Sequence, residues 1–294
     1  MFRFNFVGGN EGDSGEEVSP PTSIVETRPT ESLRPCTELV PVSDRSEMAF
    51  VDFRISETCC IRKAANPVVD ASAAVSTASA QTATGVSVGE SDLIPGQYEG
   101  GYKVWECSID LSRYIARHSE VATMFKSDKR VIELGSGQGL VGIVAMALGA
   151  GEVHFQDYDI GVIRDLTIPV VEENVRCLDG TFKPKVRFFA GDWGTLQADI
   201  LQPQNLGRAY DVILTTETIY NEQTSIRLLS CIKACLKPTG VCYLSAKSFY
   251  FGVGGGVAGF QQLLDRDGTF QHRVLQVIDD GRSNRREILE LRVT

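Results

Sequence analysis

From residue 130 onward, short apolar runs alternate with longer amphipathic stretches in a nearly regular order. Runs of four to seven apolar residues bounded by Gly, Asp or Pro predict strands at Arg130–Leu134, Glu152–Gln156, Val186–Ala190, Asp211–Thr215 and Gly240–Ala246. The amphipathic stretches between them predict helices at Leu140–Leu148, Ile160–Cys177, Gln223–Leu236 and Val257–Arg266. A further helix, Ile109–His118, precedes the first strand, with Ser108 placed to cap it. Strands that alternate with helices make βαβ units, so the class is α/β with a parallel sheet. The last two runs, His272–Ile278 and Glu287–Val293, are joined only by the turn-rich Asp279–Asn284 and predict an antiparallel hairpin.

The first 90 residues have another texture. They mix Gly, Ser, Pro, Thr and acids, and Ala71–Ser91 is an Ala/Ser/Thr/Val stretch with no charge between Asp70 and Glu90. Such composition buries too little apolar area to offset the entropy of ordering, so residues 1–90 read as largely disordered and the folded domain as 91–294. Met48–Ile55 is the exception, alternating like a strand or a docking motif. Residues 1–90 hold 13 acidic and 7 basic side chains, net −6, leaving only −3 of the total −9 to the remainder. A nearly balanced folded region exerts no general attraction on nucleic acid; Arg282, Arg285 and Arg286 form a local cluster that reads as a solvated turn. The eight cysteines lack the paired spacing of a metal site or a disulfide framework, and no run of 18 apolar residues occurs. A soluble intracellular protein with no bound metal is expected.

The chemistry collects where the predicted strands end. Val131-Ile132-Glu133-Leu134-Gly135-Ser136-Gly137-Gln138-Gly139-Leu140 is a buried strand running into a glycine turn and a helix. A dinucleotide fingerprint starting at Gly135 needs its third glycine where Leu140 stands. The spacing Gly135, Gly137, Gly139 with an acid at Glu133 instead suits a methionine moiety and its sulfonium, and so S-adenosylmethionine. Asp157 closes the second strand 20 residues beyond Gly137, where a carboxylate can accept from both ribose hydroxyls. Asp192 and Trp193, after Gly191, are placed to accept from an adenine amino group and to pack on its ring. The fourth strand leads into Thr216-Glu217-Thr218-Ile219-Tyr220, an acid and a phenol able to orient an acceptor nitrogen. The fifth ends in Lys247-Ser248-Phe249-Tyr250-Phe251-Gly252-Val253-Gly254-Gly255-Gly256, aromatics followed by a glycine-rich hinge, readable as a closing loop or as a plain connection. The dense segment Leu93–Ser108 reads as an ordered loop contributing to the site. His118, His154 and His272 lie apart, within predicted helix or strand, and none is assigned catalysis.

In this order the segments YEGGYKVWEC, HFQDYD, GDW, ILTTETIYN and YFGVGGG resemble the protein-histidine methyltransferases typified by yeast histidine protein methyltransferase one and its mammalian methyltransferase-like eighteen relatives. The resemblance covers residues 91–294. It implies a seven-stranded Rossmann-like sheet, mostly parallel with a C-terminal antiparallel hairpin, and S-adenosyl-L-methionine as cofactor. By the same likeness Val104, Trp105, Glu106, Cys107, Ser108, Gly135, Gln156, Asp157, Tyr158, Gly191, Asp192, Trp193 and Thr216 contact that cofactor, with Thr216 standing where relatives can carry Ser. It further implies a monomer of the cytoplasm or nucleus that methylates one histidine of large-subunit ribosomal protein number three. The expected holder of the imidazole is Glu217 or Tyr220. A lysine methyltransferase of the same fold and a silent ribosome-assembly binding protein are the rival readings; an NAD-linked oxidoreductase is disfavoured by the glycine spacing and the hairpin.

Overall fold

Alternating burial along each strand divides the core into two layers. Val131, Val153, Phe155, Val212 and Leu214 point into one, Ile132, Leu134, Ile213 and Leu244 into the other. Each such side chain contributes roughly 1.5–3 kcal/mol when fully buried, so a sheet covered on both faces is the favoured outcome. The computed structural model describes residues 33–41, 48–65, 100–178, 182–204, 206–281 and 283–294, and Leu33–Thr294 form one unit.

The strands are β1 (Thr37–Leu39), β2 (Phe50–Arg54), β3 (Cys60–Ala64), β4 (Arg130–Leu134), β5 (Glu152–Asp157), β6 (Lys185–Ala190), β7 (Tyr210–Thr216), β8 (Leu236–Lys247), β9 (Phe270–Ile278) and β10 (Arg286–Val293). Eight of them make one sheet in the order β1-β6-β5-β4-β7-β8-β10-β9. The run β6-β5-β4-β7-β8 is parallel, and β10 lies antiparallel between β8 and β9. The helices are α1 (Glu106–Arg117), α2 (Ser119–Ala122), α3 (Leu140–Ala147), α4 (Ile160–Val162), α5 (Ile168–Cys177), α6 (Trp193–Leu196), α7 (Glu222–Cys235) and α8 (Val257–Asp267). Leu111 of α1, Val141 of α3 and Val170 of α5 belong to the first core layer, and Ile232 of α7 and Phe260 of α8 to the second. The α/β sheet and its terminal hairpin are thus as expected, with an eighth strand added.

The eighth strand corrects the boundary at residue 91. β1 pairs antiparallel with β6, Thr37 opposite Ala190, and Glu38 takes both a 2.7 Å Nε and a 2.7 Å Nη2 bond from Arg187. β2, inside the Met48–Ile55 run, pairs with β3, whose Ile61 and Ala64 are buried against the first layer. Arg62 fastens that hairpin to α5: its N–H donates to Asn174 Oδ1 at 2.8 Å and its carbonyl accepts from Asn174 Nδ2 at 2.7 Å. Weak composition is overridden here by pairing partners distant in sequence. The stretch Ala71–Ser91 and residues 93–99 lie outside the described residues.

Three local expectations change. The helix foreseen over Ile160–Cys177 contains a π turn, Ile163–Thr167, just before Pro169, which has no N–H to continue the α ladder. Ser108 does not cap α1; the helix starts at Glu106, and Ser108 Oγ donates to the Trp105 carbonyl at 2.7 Å. Arg286 is not solvated but buried, with Nε on Asp110 at 2.6 Å and Nη2 on Asp280 at 3.0 Å, which pins the hairpin base to α1. Arg282 lies outside the described residues, and Arg285 is half-exposed beside Glu287. Among the described residues no helix is long and apolar enough to cross a membrane.

Candidate functional site at the sheet's switch point

The chain leaves β4 toward β5 and β6, then returns to place β7 on β4's other side. Loops therefore diverge above the β4/β7 boundary, and a crevice opens at the carboxyl ends of these strands. A cleft of about 1090 Å³, its open mouth included, occupies that place. Its lining includes Val104, Trp105, Ser108, Gly135, Gly137, Asp157, Tyr158, Gly191, Asp192, Trp193, Thr216, Glu217 and Tyr220. Five expected residues are elsewhere, each for a local reason.

Glu133 is one of these. It is buried beneath the loop, and its Oε2 accepts from Gly142 N at 2.8 Å, satisfying a first-turn amide of α3 that has no partner inside the helix. Burial pushes its carboxyl up to about 8, against the pull of the Gly142 and Val141 amides, and the side chain faces α3 and not the cleft. Gly139 is a packing glycine: a Cβ there would sit 3.0 Å from the Phe155 ring. Gln156 acts behind the wall, donating to the Gly191 carbonyl at 2.8 Å while its Oε1 accepts from Trp193 Nε1 at 2.6 Å and Gly135 N at 3.4 Å. One amide side chain thereby ties the tips of β4, β5 and β6. Glu106 lies outside the lining near Lys247 Nζ, 3.6 Å away, and Cys107 is buried, its thiol pushed well up by burial and by the neighbouring Glu217.

Within the cleft, Gly137 holds the conformation the loop needs. Its φ of +49° is left-handed, its N–H donates to Asp157 Oδ2 at 2.9 Å, and a Cβ would stand 3.0 Å from the Gly101 carbonyl oxygen. Asp157 also accepts from Asp159 N at 3.2 Å, which leaves further lone pairs of the carboxylate for a ligand hydroxyl. Burial raises it to about 6, so it is mainly ionised at pH 7. Asp192 caps α6 through Gly194 N at 2.7 Å and faces Arg227 Nη1 at 3.2 Å. Glycine-lined space, a buried diol acceptor and a nearby indole suit an adenine nucleoside carrying a short chain.

The other half of the cleft is built from β7, β8 and α1. Glu217 has φ +58°, unfavourable for a residue with a Cβ. Its Oε2 accepts from the Tyr250 hydroxyl at 2.5 Å, while Oε1 is buried without a hydrogen-bond partner among the described residues. Lys247 Nζ is 3.8 Å from that Oε1 and 5.1 Å from the Trp105 ring centroid. Tyr250 is itself fixed, since its oxygen accepts from Lys247 N at 3.3 Å, and burial lifts its phenol well above the ordinary value. Tyr220 packs edge-on against Tyr250, with centroids 6.5 Å apart. The glycine-rich stretch is only partly a hinge. Gly255 N donates to the Tyr220 carbonyl at 2.9 Å, and a Cβ on Gly255 would collide with that peptide at 2.1 Å. None of Lys247, Tyr250 and Arg227 has a role assigned from the sequence; Lys247 and Tyr250 stand in the segment that opens the aromatic run, and Arg227 carries no signal of its own.

The histidines lie outside the cleft lining. His154 bonds Tyr210 and Glu152, His118 stacks on Tyr114, and His272 meets Asp265. Cys231 and Cys235 are free thiols 3.7 Å apart, and the described residues contain no cluster suited to a metal.

A family model described as lysine methyltransferase matches residues 95–250. The histidine protein methyltransferase 1 homolog of Mus musculus is 41% identical over 209 residues, 65% of this chain and 56% of the mouse protein. Its namesake in Dictyostelium discoideum is 38% identical over 202 residues, 69% of this chain and 60% of that protein. The chain therefore spans little more than half the length of these curated relatives. Among solved structures, magnesium protoporphyrin IX methyltransferase from Synechocystis has a TM-score of 0.44 at 14% identity, over 63% of this chain and 79% of its own.

Proposed function

This chain belongs to the lysine methyltransferase family, and from that premise we propose that it is an S-adenosylmethionine-dependent protein methyltransferase whose acceptor is a histidine ring nitrogen. The cofactor, when bound, supplies an electrophilic methyl group on a sulfonium. Asp157 would accept from its ribose hydroxyls, the left-handed turn at Gly135 and Gly137 would present backbone to its chain, and Asp192 and Trp193 would take the adenine. Histidine as acceptor is supported by the likeness to the mouse and Dictyostelium proteins and by one feature of the cleft. The carboxylate of Glu217 has one oxygen held by Tyr250 and the other buried without a hydrogen-bond partner among the described residues, with only the Lys247 ammonium 3.8 Å away.

That oxygen can accept the N–H of an imidazole, fixing the tautomer so that the second ring nitrogen presents its lone pair. Free imidazole has pKa ~6.5 and is mostly neutral at pH 7, whereas lysine at ~10.4 must first lose a proton. Lys247 beside Glu217 sharpens the choice, because a cation already stands where an ammonium would enter. We extend the reading to one histidine of large-subunit ribosomal protein number three as substrate, and to a monomer acting in the cytoplasm or nucleus. Incubating the protein with methyl-labelled cofactor and ribosomal proteins, then hydrolysing in acid, tests it. Label in methylhistidine is expected; label in methyllysine transfers the assignment to lysine.

A further inference from the structure

The wall of the cleft formed by the tips of β5 and β6 is backed by a segment far upstream. The Arg34 carbonyl accepts from Asp192 N at 3.3 Å and Thr195 Oγ1 at 2.8 Å, and Cys36 N donates to Asp199 Oδ2 at 2.7 Å. The fit is close: a Cβ on Gly191 would lie 2.5 Å from both the Pro35 oxygen and Cys36 Cα, and one on Gly194 would lie 2.8 Å from Leu33 Cδ1. The Arg34 guanidinium carbon stands 4.5 Å over the Tyr158 ring. Tyr158 follows β5 and Gly191 follows β6, so one segment touches both tips from behind.

We propose that Leu33–Leu39 is part of the binding site for the adenine-nucleoside end of S-adenosylmethionine, with Arg34 as a positioning residue that acts through Tyr158 and the Gly191–Trp193 turn. The inference rests on the cofactor reading above. It adds a segment that lies before the residues matched by the family model. Its physical basis is shared partners. The ligand needs Asp157 and Tyr158 on one tip and Gly191–Trp193 on the next, and the segment fixes the spacing of those same tips. Two partners that favour one arrangement of a common element stabilise each other's docking, and the coupling is reciprocal. The three-residue β1 ladder alone gives little reason for so close a fit to a turn of the cleft.

The test uses the whole 294-residue chain and S-adenosylhomocysteine as probe. Saturation with the probe is expected to slow amide hydrogen exchange at residues 36–39 by about tenfold. Arg34→Ala is expected to weaken probe affinity by calorimetry roughly threefold to fivefold through the lost cation–π contact, and Arg34→Lys to restore part of it. A segment that only braces the sheet edge would lower Tm in Arg34→Ala and leave affinity and exchange unchanged, and that result overturns the proposal. If the unmodified chain binds no probe, the cofactor reading itself fails and this inference with it.

Discussion

The two halves of the cleft are built on opposite plans. At the tips of β4, β5 and β6, backbone amides and carbonyls are paired in place by Gln156, Asp157 and Asp192. At the tips of β7 and β8, Glu217 is held in a left-handed conformation with one buried oxygen lacking a hydrogen bond among the described residues, and Phe249 and Phe251 stand exposed nearby. A ligand common to a large enzyme class can be met by a preformed backbone cradle. A particular acceptor is met by side chains left incomplete until it arrives, and strain of roughly 1–3 kcal/mol at such a residue is the usual mark of a functional position.

This contrast can be broken by experiment. Glu217→Ala has the largest expected effect: methyl transfer falls a hundredfold or more while affinity for S-adenosylhomocysteine stays within about twofold. Equal losses in both would merge the halves into one structural unit. Gly137→Ala tests the opposite side. Its left-handed φ and the 3.0 Å approach to Gly101 predict roughly tenfold weaker cofactor binding by calorimetry, with turnover at saturating cofactor little changed. Tyr250→Phe frees Glu217 Oε2 and is expected to lower turnover by about tenfold, with unchanged cofactor affinity.

The smallest effect concerns stability and pH. The folded-state pKa of Glu133, raised to about 8, lies above its unfolded value near 4.5. Between those values the native state holds the extra proton, so folding stability falls as pH rises through the window. Glu133→Gln keeps an acceptor for Gly142 and removes the titration. Its Tm should therefore decline less than that of the unaltered chain between pH 5 and 8, a difference worth a few kcal/mol at most. Parallel declines would mean that Glu133 is ionised throughout.

The sequence is more informative about the first half of the cleft than about the second, and the reason is geometric. Strand, glycine turn and helix follow one another along the chain from Val131 to Leu140, and the acids after β5 and β6 end runs whose periodicity is plain. Glu217, Tyr250, Lys247 and Trp105 come from β7, β8 and the approach to α1, and only the register of the sheet brings them together. Glu133 misleads for the same reason, since alternation decides which face of β4 it occupies and the glycine motif does not. β1 and β3 escape detection because three to five residues with mixed polarity carry almost no periodic signal; their partners on β6 and α5 lie more than 100 residues away.

β1 has one more consequence, and it concerns how copies of this protein meet. With Thr37–Leu39 in place, the ladder of β6 from Phe188 to Ala190 is occupied on its outer side. A chain trimmed to begin at residue 91 would keep every glycine and acid of the cofactor turn and yet present that strand's N–H and C=O groups to solvent. Bare edges of this kind recruit other strands. Such a truncated protein is expected to self-associate more readily than the longer one, and its solubility would report the loss of a three-residue strand.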